Sequence, residues 1–337
     1  MKAFGTLIAL LVGLGSACFV SPSGAVDAVD ATSEVIYRFP DVANLGTLET
    51  RIGDRPGAVA LDRISSRRHA VATAKGTVKL TTAQNRGVYF APGAALIRRP
   101  ELMDAISPDN ILGFYFSFTS TGDSEDAIAD QLVAKISHLK NLRIVRLGRC
   151  DVSDIGIKSL QGLPQLKILD ISYTLVTNKS MPVIGRLTNL KDLTMNSVDL
   201  RQSDFSYIAR LPKLSVLYLR GSQVSDAMVM ALKSSKSLEN IDLSNNRAIT
   251  DAALPALALL PNLRAVCLAG TSVNLQSLSK LARVKRVVLS SRDLKGTRLE
   301  DLQKTIPNLA LDNYAKKFAD GSRPGAEEMH LFAPTRY

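Results

Sequence analysis

Leu163-Pro-Gln-Leu166-Lys-Ile-Leu169-Asp-Ile171-Ser-Tyr-Thr174-Leu-Val176-Thr177-Asn-Lys-Ser-Met181-Pro-Val-Ile184 is the stretch whose reading decides the fold. Its first four marked apolar positions, Leu163 to Ile171, close with the alternation of a short strand. Thr174 follows as a small polar residue, then Val176, then Met181 and Ile184 at helical spacing. The same unit begins again at Leu139, Leu163, Leu187, Leu211, Ser235, Leu260 and Leu281, with spacings of 24, 24, 24, 24, 25 and 21 residues. A fixed period in this range is the mark of a solenoid, in which each unit buries its apolar face only by stacking on its neighbours.

Within the unit each position has an expected task. Leu142, Val145 and Leu147, with equivalents such as Leu166, Leu169 and Ile171, should point inward from a short strand, and successive strands should join one long parallel sheet. Cys150, Thr174, Ser222, Asn246 and Thr271 should form a ladder of small polar side chains that meet buried backbone groups of the neighbouring turn. Val198 breaks that ladder and Arg292 ends it. Ser153-Asp154, Thr177-Asn178, Ser225-Asp226 and Thr250-Asp251 read as helix N-caps. Apolar pairs three residues apart, from Ile157/Leu160 to Leu278/Leu281, should then turn each short helix inward.

The chain resembles leucine-rich-repeat proteins, and in particular the bacterial secreted type whose repeats run L-x-x-L-x-x-L-x-L-x-x-T-x-I-T-D-x-x-L-x-x-L. Ile249-Thr250-Asp251 and Val224-Ser225-Asp226 carry that signature most closely, while the third and sixth repeats carry it less well. The likeness covers residues 139–304 firmly and 106–138 loosely. It implies an α/β fold: a right-handed solenoid, or horseshoe, with a concave parallel sheet and convex helices. It also implies a habit of binding proteins, with no one ligand specified.

Outside the repeats the chain divides into further segments. Residues 1–25 read as a signal peptide, with Lys2 ahead of an apolar run and small residues near Ala25. Leu14-Gly-Ser-Ala-Cys18 is a variant of a lipoprotein box, which would anchor Cys18. Cleavage implies a secreted, periplasmic or cell-envelope protein with no transmembrane segment in the mature chain. Residues 26–34 read as a linker. Residues 35–105 form a small β-rich cap with short strands at Val35–Phe39, Ala58–Leu61, Ala70–Ala74, Gly76–Leu80 and Gly87–Phe90, and a hairpin turn at Lys75-Gly76. Residues 106–138 are an atypical first repeat, its Phe114-x-Phe116-x-Phe118 strand covering the open end of the stack, followed by a helix from about Asp123 to His138. The solenoid extends over 139–312, with Arg283 to Leu289 as its last full strand and a degenerate turn after it. Residues 313–337 read as a flexible tail.

Composition sets further bounds. With 46% apolar residues, 5% aromatics and no Trp, the core must be aliphatic. The net charge of +11 sits on the repeats, where residues 139–304 hold 25 basic against 13 acidic side chains. Cys150 and Cys267 lie five turns apart, roughly 24 Å at one strand spacing per turn, far beyond the ~7 Å that a disulfide spans. His69, His138 and His330 are scattered, and no metal-ligand spacing, nucleophile with its base, or phosphate loop occurs outside the leader. The expectation is a non-enzymatic chain with no metal and no cofactor.

Two surfaces then stand as candidates. On the concave sheet an outward column runs Arg146, Asp170, Thr194, Tyr218, Asp242, Cys267 and Val288, and beside it lie Arg149, Tyr173, Asn196, Arg220 and Asn245. Tyr and Arg are the residue types that anchor protein interfaces. At the edge where the chain enters each strand, Arg143, Lys167, Lys191, Arg264 and Lys285 recur, with Arg210 and Lys213 crowding them and Ser215 and Glu239 interrupting. Stacked at ~5 Å per turn, these would line up a linear anionic site. The expected partner is another protein on the concave face. The alternative is an envelope polyanion or acidic glycan on the basic stripe, with nucleic acid disfavoured because interleaved aromatics are missing. No small-molecule substrate is expected.

Overall fold

The structure is a computed structural model that describes residues 32–51, 68–83, 88–107, 111–116, 128–307 and 309–312. The leader, Cys18, the expected strand at 58–61, the start of the helix after Phe116 and the tail 313–337 lie outside the described residues.

Short strands follow one another at the repeat period: β1 (Thr32–Arg38), β2 (Gly46–Arg51), β3 (Arg68–Thr73), β4 (Thr77–Ala83), β5 (Val88–Pro92), β6 (Ile111–Tyr115), β7 (Ile144–Arg146), β8 (Ile168–Asp170), β9 (Asp192–Thr194), β10 (Val216–Tyr218), β11 (Asn240–Asp242), β12 (Ala265–Cys267), β13 (Arg286–Ser290) and β14 (Leu309–Asp312). One sheet runs β14-β13-β12-β11-β10-β9-β8-β7-β6-β5-β2-β3, and among the described residues β1 pairs with β4 in a separate two-stranded sheet. From β5 to β14 every pairing is parallel and shifts by one repeat. Val145, Leu169, Leu193, Leu217, Ile241, Val266 and Val287 are mutual register partners across seven strands. All seven are fully buried. The short helices that follow the strands bury the expected pairs on the same core, among them Ile157/Leu160, Phe205/Ile208 and Leu254/Leu257. These features define a leucine-rich-repeat solenoid built around an aliphatic core.

Three local expectations give way. Lys75-Gly76 turns the chain, with Gly76 at φ 60°, but the strands on either side do not pair with each other. β3 pairs with β2, while β4 pairs with β1. The unforeseen β2 supplies the reason, since it takes the place beside β3 that a hairpin would have used. Phe114 and Phe116 do not cover the open end of the stack, because the sheet runs on through β5, β2 and β3. Their rings instead pack inside it with Phe90 and Phe39, at centroid separations of 6.0 to 6.3 Å. At the other end the degenerate turn expected after Arg283–Leu289, at residues 306–311, forms a full strand, β14, parallel to β13.

Neighbouring turns are tied together by polar side chains of two kinds. In the ladder behind the strands, Asn246 donates to Leu219 O at 2.8 Å and accepts from Val224 N at 3.0 Å, both in the preceding turn. Ser222 donates to Met195 O at 2.5 Å in the same way. Thr174 and Thr271 bond only within their own turn, to Ile171 O and Leu268 O. The second kind joins helix starts. Ser153, Thr177 and Thr250 do cap their helices, each accepting from the backbone N–H two residues on, while Ser225 makes no such bond. The acid beside the cap does something else: it reaches the cap of the next turn. Asp154 accepts from Thr177 N, Thr177 Oγ1 and Ser180 Oγ. Asp226 accepts from Thr250 N and Oγ1, and Asp251 from Asn274 N, Asn274 Nδ2 and Ser277 Oγ. Asp130 begins the series on Ser153 and Gly156. The third repeat lacks this pair, and there Asp199 turns to Arg201 instead.

Candidate functional site

On the sheet face opposite the helices, Tyr115, Arg146, Asp170, Thr194, Tyr218, Asp242, Cys267 and Val288 are register partners in one unbroken column. Its exposure is uneven. Arg146, Asp170 and Thr194 are half-buried, whereas Tyr218, Asp242, Cys267 and Val288 are buried. Val216, Tyr218, Ala265, Cys267, Ala269 and Val288 form an apolar cluster on this face, separate from the main core. Tyr89, Tyr115, Ile144 and Ile168 form another toward β5. Cys267 is buried inside the first of these clusters, and Cys150 is buried in the main core. The face thus carries a polar middle between two apolar patches. The sequence held the signal for this: in β10 and β12 the residues flanking the inward Leu217 and Val266 are mostly apolar, the composition of a strand buried on both faces.

The five residues beside the column belong to two rows. Asn196 and Arg220 share a row with Gly148, Ser172, Ser244 and Ala269, because the backbone N–H one residue later donates across to that row at each step: Arg149 to Ser172, Tyr173 to Asn196, Ser197 to Arg220, Gly221 to Ser244 and Asn245 to Ala269. Arg149, Tyr173 and Asn245 fall in the next row, with Ser197, Gly221 and Gly270. Every residue of this second row has a left-handed backbone, φ 53° to 70°. Glycine and asparagine adopt that conformation readily; for Arg and Tyr it costs about 1–2 kcal/mol. Arg149 and Tyr173 sit there exposed, with the Arg149 guanidinium 5.1 Å from the centre of the Tyr173 ring. Arg146 lies similarly 5.8 Å from the Tyr115 ring.

Two of the acids in this region are held by local partners. Asp170 accepts from Ser172 N at 3.0 Å and Asp242 from Ser244 N at 2.9 Å, and Arg220 lies 3.7 Å from Asp242. Asn196 accepts from Arg220 N through its side chain at 2.9 Å.

The basic edge forms in part. Lys167, Lys191, Ser215, Glu239 and Arg264 each donate their backbone N–H to the equivalent carbonyl one turn back, starting at Arg143, so the row is continuous in register. Burial, and then the charges of Arg143, Lys191 and Lys213, push the Lys167 ammonium below its ordinary pKa. Arg264 is 3.6 Å from Glu239. Arg210 does not face this edge, being turned to Ser206 and to the Tyr207 ring on the helical side. Lys285 is exposed next to Arg286, whose N–H makes the bond to Arg264 O.

One cavity escaped the sequence reading. It has a volume of about 520 Å³ and is lined by Arg220, Ser244, Asn245, Arg247, Arg292 and Asp293 among others. Arg292 was read only as the residue that ends the polar ladder, and Arg247 follows Asn246 of that ladder, so neither stood out as a binding residue. Among the described residues no group of three or more His, Cys, Asp or Glu side chains could hold a metal ion, and no helix is long and apolar enough to cross a membrane. The His138 ring bridges the carbonyls of Lys135 and Ile106.

A leucine rich repeat family model matches residues 138–160. Toll-like receptor 9 of Equus caballus is 34% identical over 99 residues, covering 27% of this chain and 10% of the receptor. Tubulin-folding cofactor E of Arabidopsis thaliana is 26% identical over 248 residues, covering 62% of this chain and 45% of the cofactor. The chain therefore spans a tenth of the first relative and under half of the second. Among solved structures, an internalin of Listeria monocytogenes is similar at 18% identity, covering 60% of this chain and 53% of its own, with a TM-score of 0.43. Internalin C2 of the same organism is similar at 22% identity, covering 62% and 80%, with a TM-score of 0.42.

Proposed function

We propose that this chain is a non-catalytic binding protein that holds another protein against the open face of its sheet and the loop edge beside it. The observation that carries this reading is the exposed Arg149–Tyr173 pair. Two large side chains occupy left-handed positions that glycine fills in two other turns, and they stack on each other in solvent. Strain kept at an exposed site points to use of that site, and preordered Tyr and Arg lose little freedom on binding. Arg146, Asp170, Asn196, Arg220 and Asn245 would extend the contact, with buried Tyr218 and Asp242 supporting it from beneath. The leader pattern at residues 1–25 supports export to the envelope or beyond. The test is affinity capture from an extract of the native source with wild type and with Arg149→Ala/Tyr173→Ala. Loss of the captured protein at an unchanged unfolding midpoint supports the reading; equal capture sinks it.

A second reading rests on the basic row. Arg143, Lys167 and Lys191 stand in consecutive turns, with Lys213 close enough to affect Lys167. Such crowding of like charge favours an anionic polymer laid along the edge. Binding there would weaken steeply with added salt, and Arg143→Gln/Lys167→Gln/Lys191→Gln would abolish it. A salt-insensitive interaction untouched by that triple change would discard this reading.

A further inference from the structure

We propose that the cavity at the loop edge of the last turns is a carboxylate-binding site, with Arg247 and Arg292 as its jaws and the Ser244 hydroxyl at its base. Three observations meet here. Ser244 is 1% exposed, lines the cavity, and its Oγ has no hydrogen-bond partner. Its backbone is fully engaged, the N–H with Asp242 and the carbonyl with Gly221 and Asn246, so only the hydroxyl is left waiting. A buried hydroxyl with no partner is unfavourable, and because Ser244 is one of the residues lining the cavity, its hydroxyl is the group left to receive a ligand oxygen. Second, Arg247 and Arg292 are exposed at the cavity and, among the described residues, have no carboxylate within ion-pair distance.

Third, the charge of the site selects the ligand. Asp293 is already committed, accepting from Gly270 N, Ser290 N and Ser290 Oγ, and Asp242 lies 3.7 Å from Arg220. Three arginines against two carboxylates leave one net positive charge. That matches a single carboxylate and falls short of a phosphate dianion. Planar guanidinium groups also meet a carboxylate with two parallel hydrogen bonds. The site adjoins the proposed protein-binding surface, sharing Arg220 and Asn245 with it, but Arg247, Arg292 and Ser244 lie outside that surface, and a cavity of this volume accepts a small acid whole.

The test is calorimetric titration of the full chain with propionate, with an end-blocked tripeptide carrying one acid, Ac-Gly-Asp-Gly-NH2, and with inorganic phosphate. Saturable binding of propionate alone assigns the site to free small acids; binding of the tripeptide assigns it to acidic side chains. Phosphate should bind at least about tenfold more weakly than the better carboxylate. Arg247→Gln/Arg292→Gln should weaken binding by about tenfold or more, and Ser244→Ala by about tenfold, one hydrogen bond to a charged acceptor. Because the hydroxyl is unsatisfied in the free protein, Ser244→Ala should leave the unfolding midpoint unchanged or raise it. No saturation with either carboxylate, tighter phosphate binding, an unaffected double arginine variant, or a destabilised Ser244→Ala protein would each overturn the proposal.

Discussion

Asn246→Ala tests how one turn is fastened to the next. The Asn246 amide donates to Leu219 O at 2.8 Å and accepts from Val224 N at 3.0 Å, and it also reaches Leu243 O at 2.9 Å in its own turn. Asn246 is 1% exposed, and Leu219 and Val224 are fully buried, so water cannot replace the lost partner. Each buried backbone group left unsatisfied costs about 1–3 kcal/mol. Two such groups in the preceding turn give an expected loss of about 4 kcal/mol. Thr271 occupies the equivalent place but bonds only to Leu268 O of its own turn. Thr271→Val should therefore cost about 1 kcal/mol, one ordinary net hydrogen bond. In a stack each turn touches only its neighbours, so the Asn246 loss should concentrate between the turns of β10 and β11. The assay is urea unfolding of both variants, with hydrogen exchange reporting protection at Val224. If Asn246→Ala stays within about 1 kcal/mol of wild type, or Thr271→Val costs as much, the reasoning about ties between turns is wrong.

Gly156→Ala should break the first acid bridge, because a Cβ there would stand 2.4 Å from Asp130 Oδ1. Losing the Ser153 and Gly156 bonds to that carboxylate should cost about 2–4 kcal/mol in thermal unfolding, and a neutral result would contradict the packing. Tyr173→Gly relaxes a left-handed backbone while removing the stack on Arg149. The two effects are each about 1 kcal/mol, so unfolding should hardly change while partner capture disappears; a strong loss of stability would refute this. Asp251 should contribute to acid sensitivity. Burial acts to raise its carboxyl, but hydrogen bonds from Asn274 and Ser277, helped by Lys280, outweigh that and hold its pKa below the ordinary carboxylate value. Its stabilising contribution is therefore present above the unfolded value of about 4 and fades as pH falls through the lower folded value. Asp251→Asn should flatten the acid side of the stability profile, and an unchanged profile would count against the bridge.

The leucine period was enough to read the solenoid, the register of Leu169, Leu193 and Leu217, and the helix pairs such as Ile157/Leu160, because stacking repeats one geometry. It was less informative wherever a residue acts across turns or departs from the period. Ser153-Asp154 reads as a cap from adjacent residues, whereas the carboxylate of Asp154 serves Thr177, 23 residues away. β2 was hidden because Gly46–Arg51 lacks the β-branched run of a typical strand. The row of Arg149, Tyr173 and Asn245 was merged with that of Asn196 and Arg220, since a one-residue offset looks the same in a list of loop positions. The burial of Tyr218 and Cys267 was legible from the apolar flanks of Leu217 and Val266, but the hydrophobic period had already claimed those strands for one face only.

The most direct measurement of the binding claim is site-specific photo-cross-linking in the native extract. A photoreactive residue is placed at Tyr173 on the loop edge and, separately, at Ile155, which is 75% exposed at the start of the α-helix Asp154–Lys158. A single protein adduct from position 173 and none from 155 is the predicted result. Equal labelling from both positions, or labelling from 155 alone, would contradict the assignment of the binding surface.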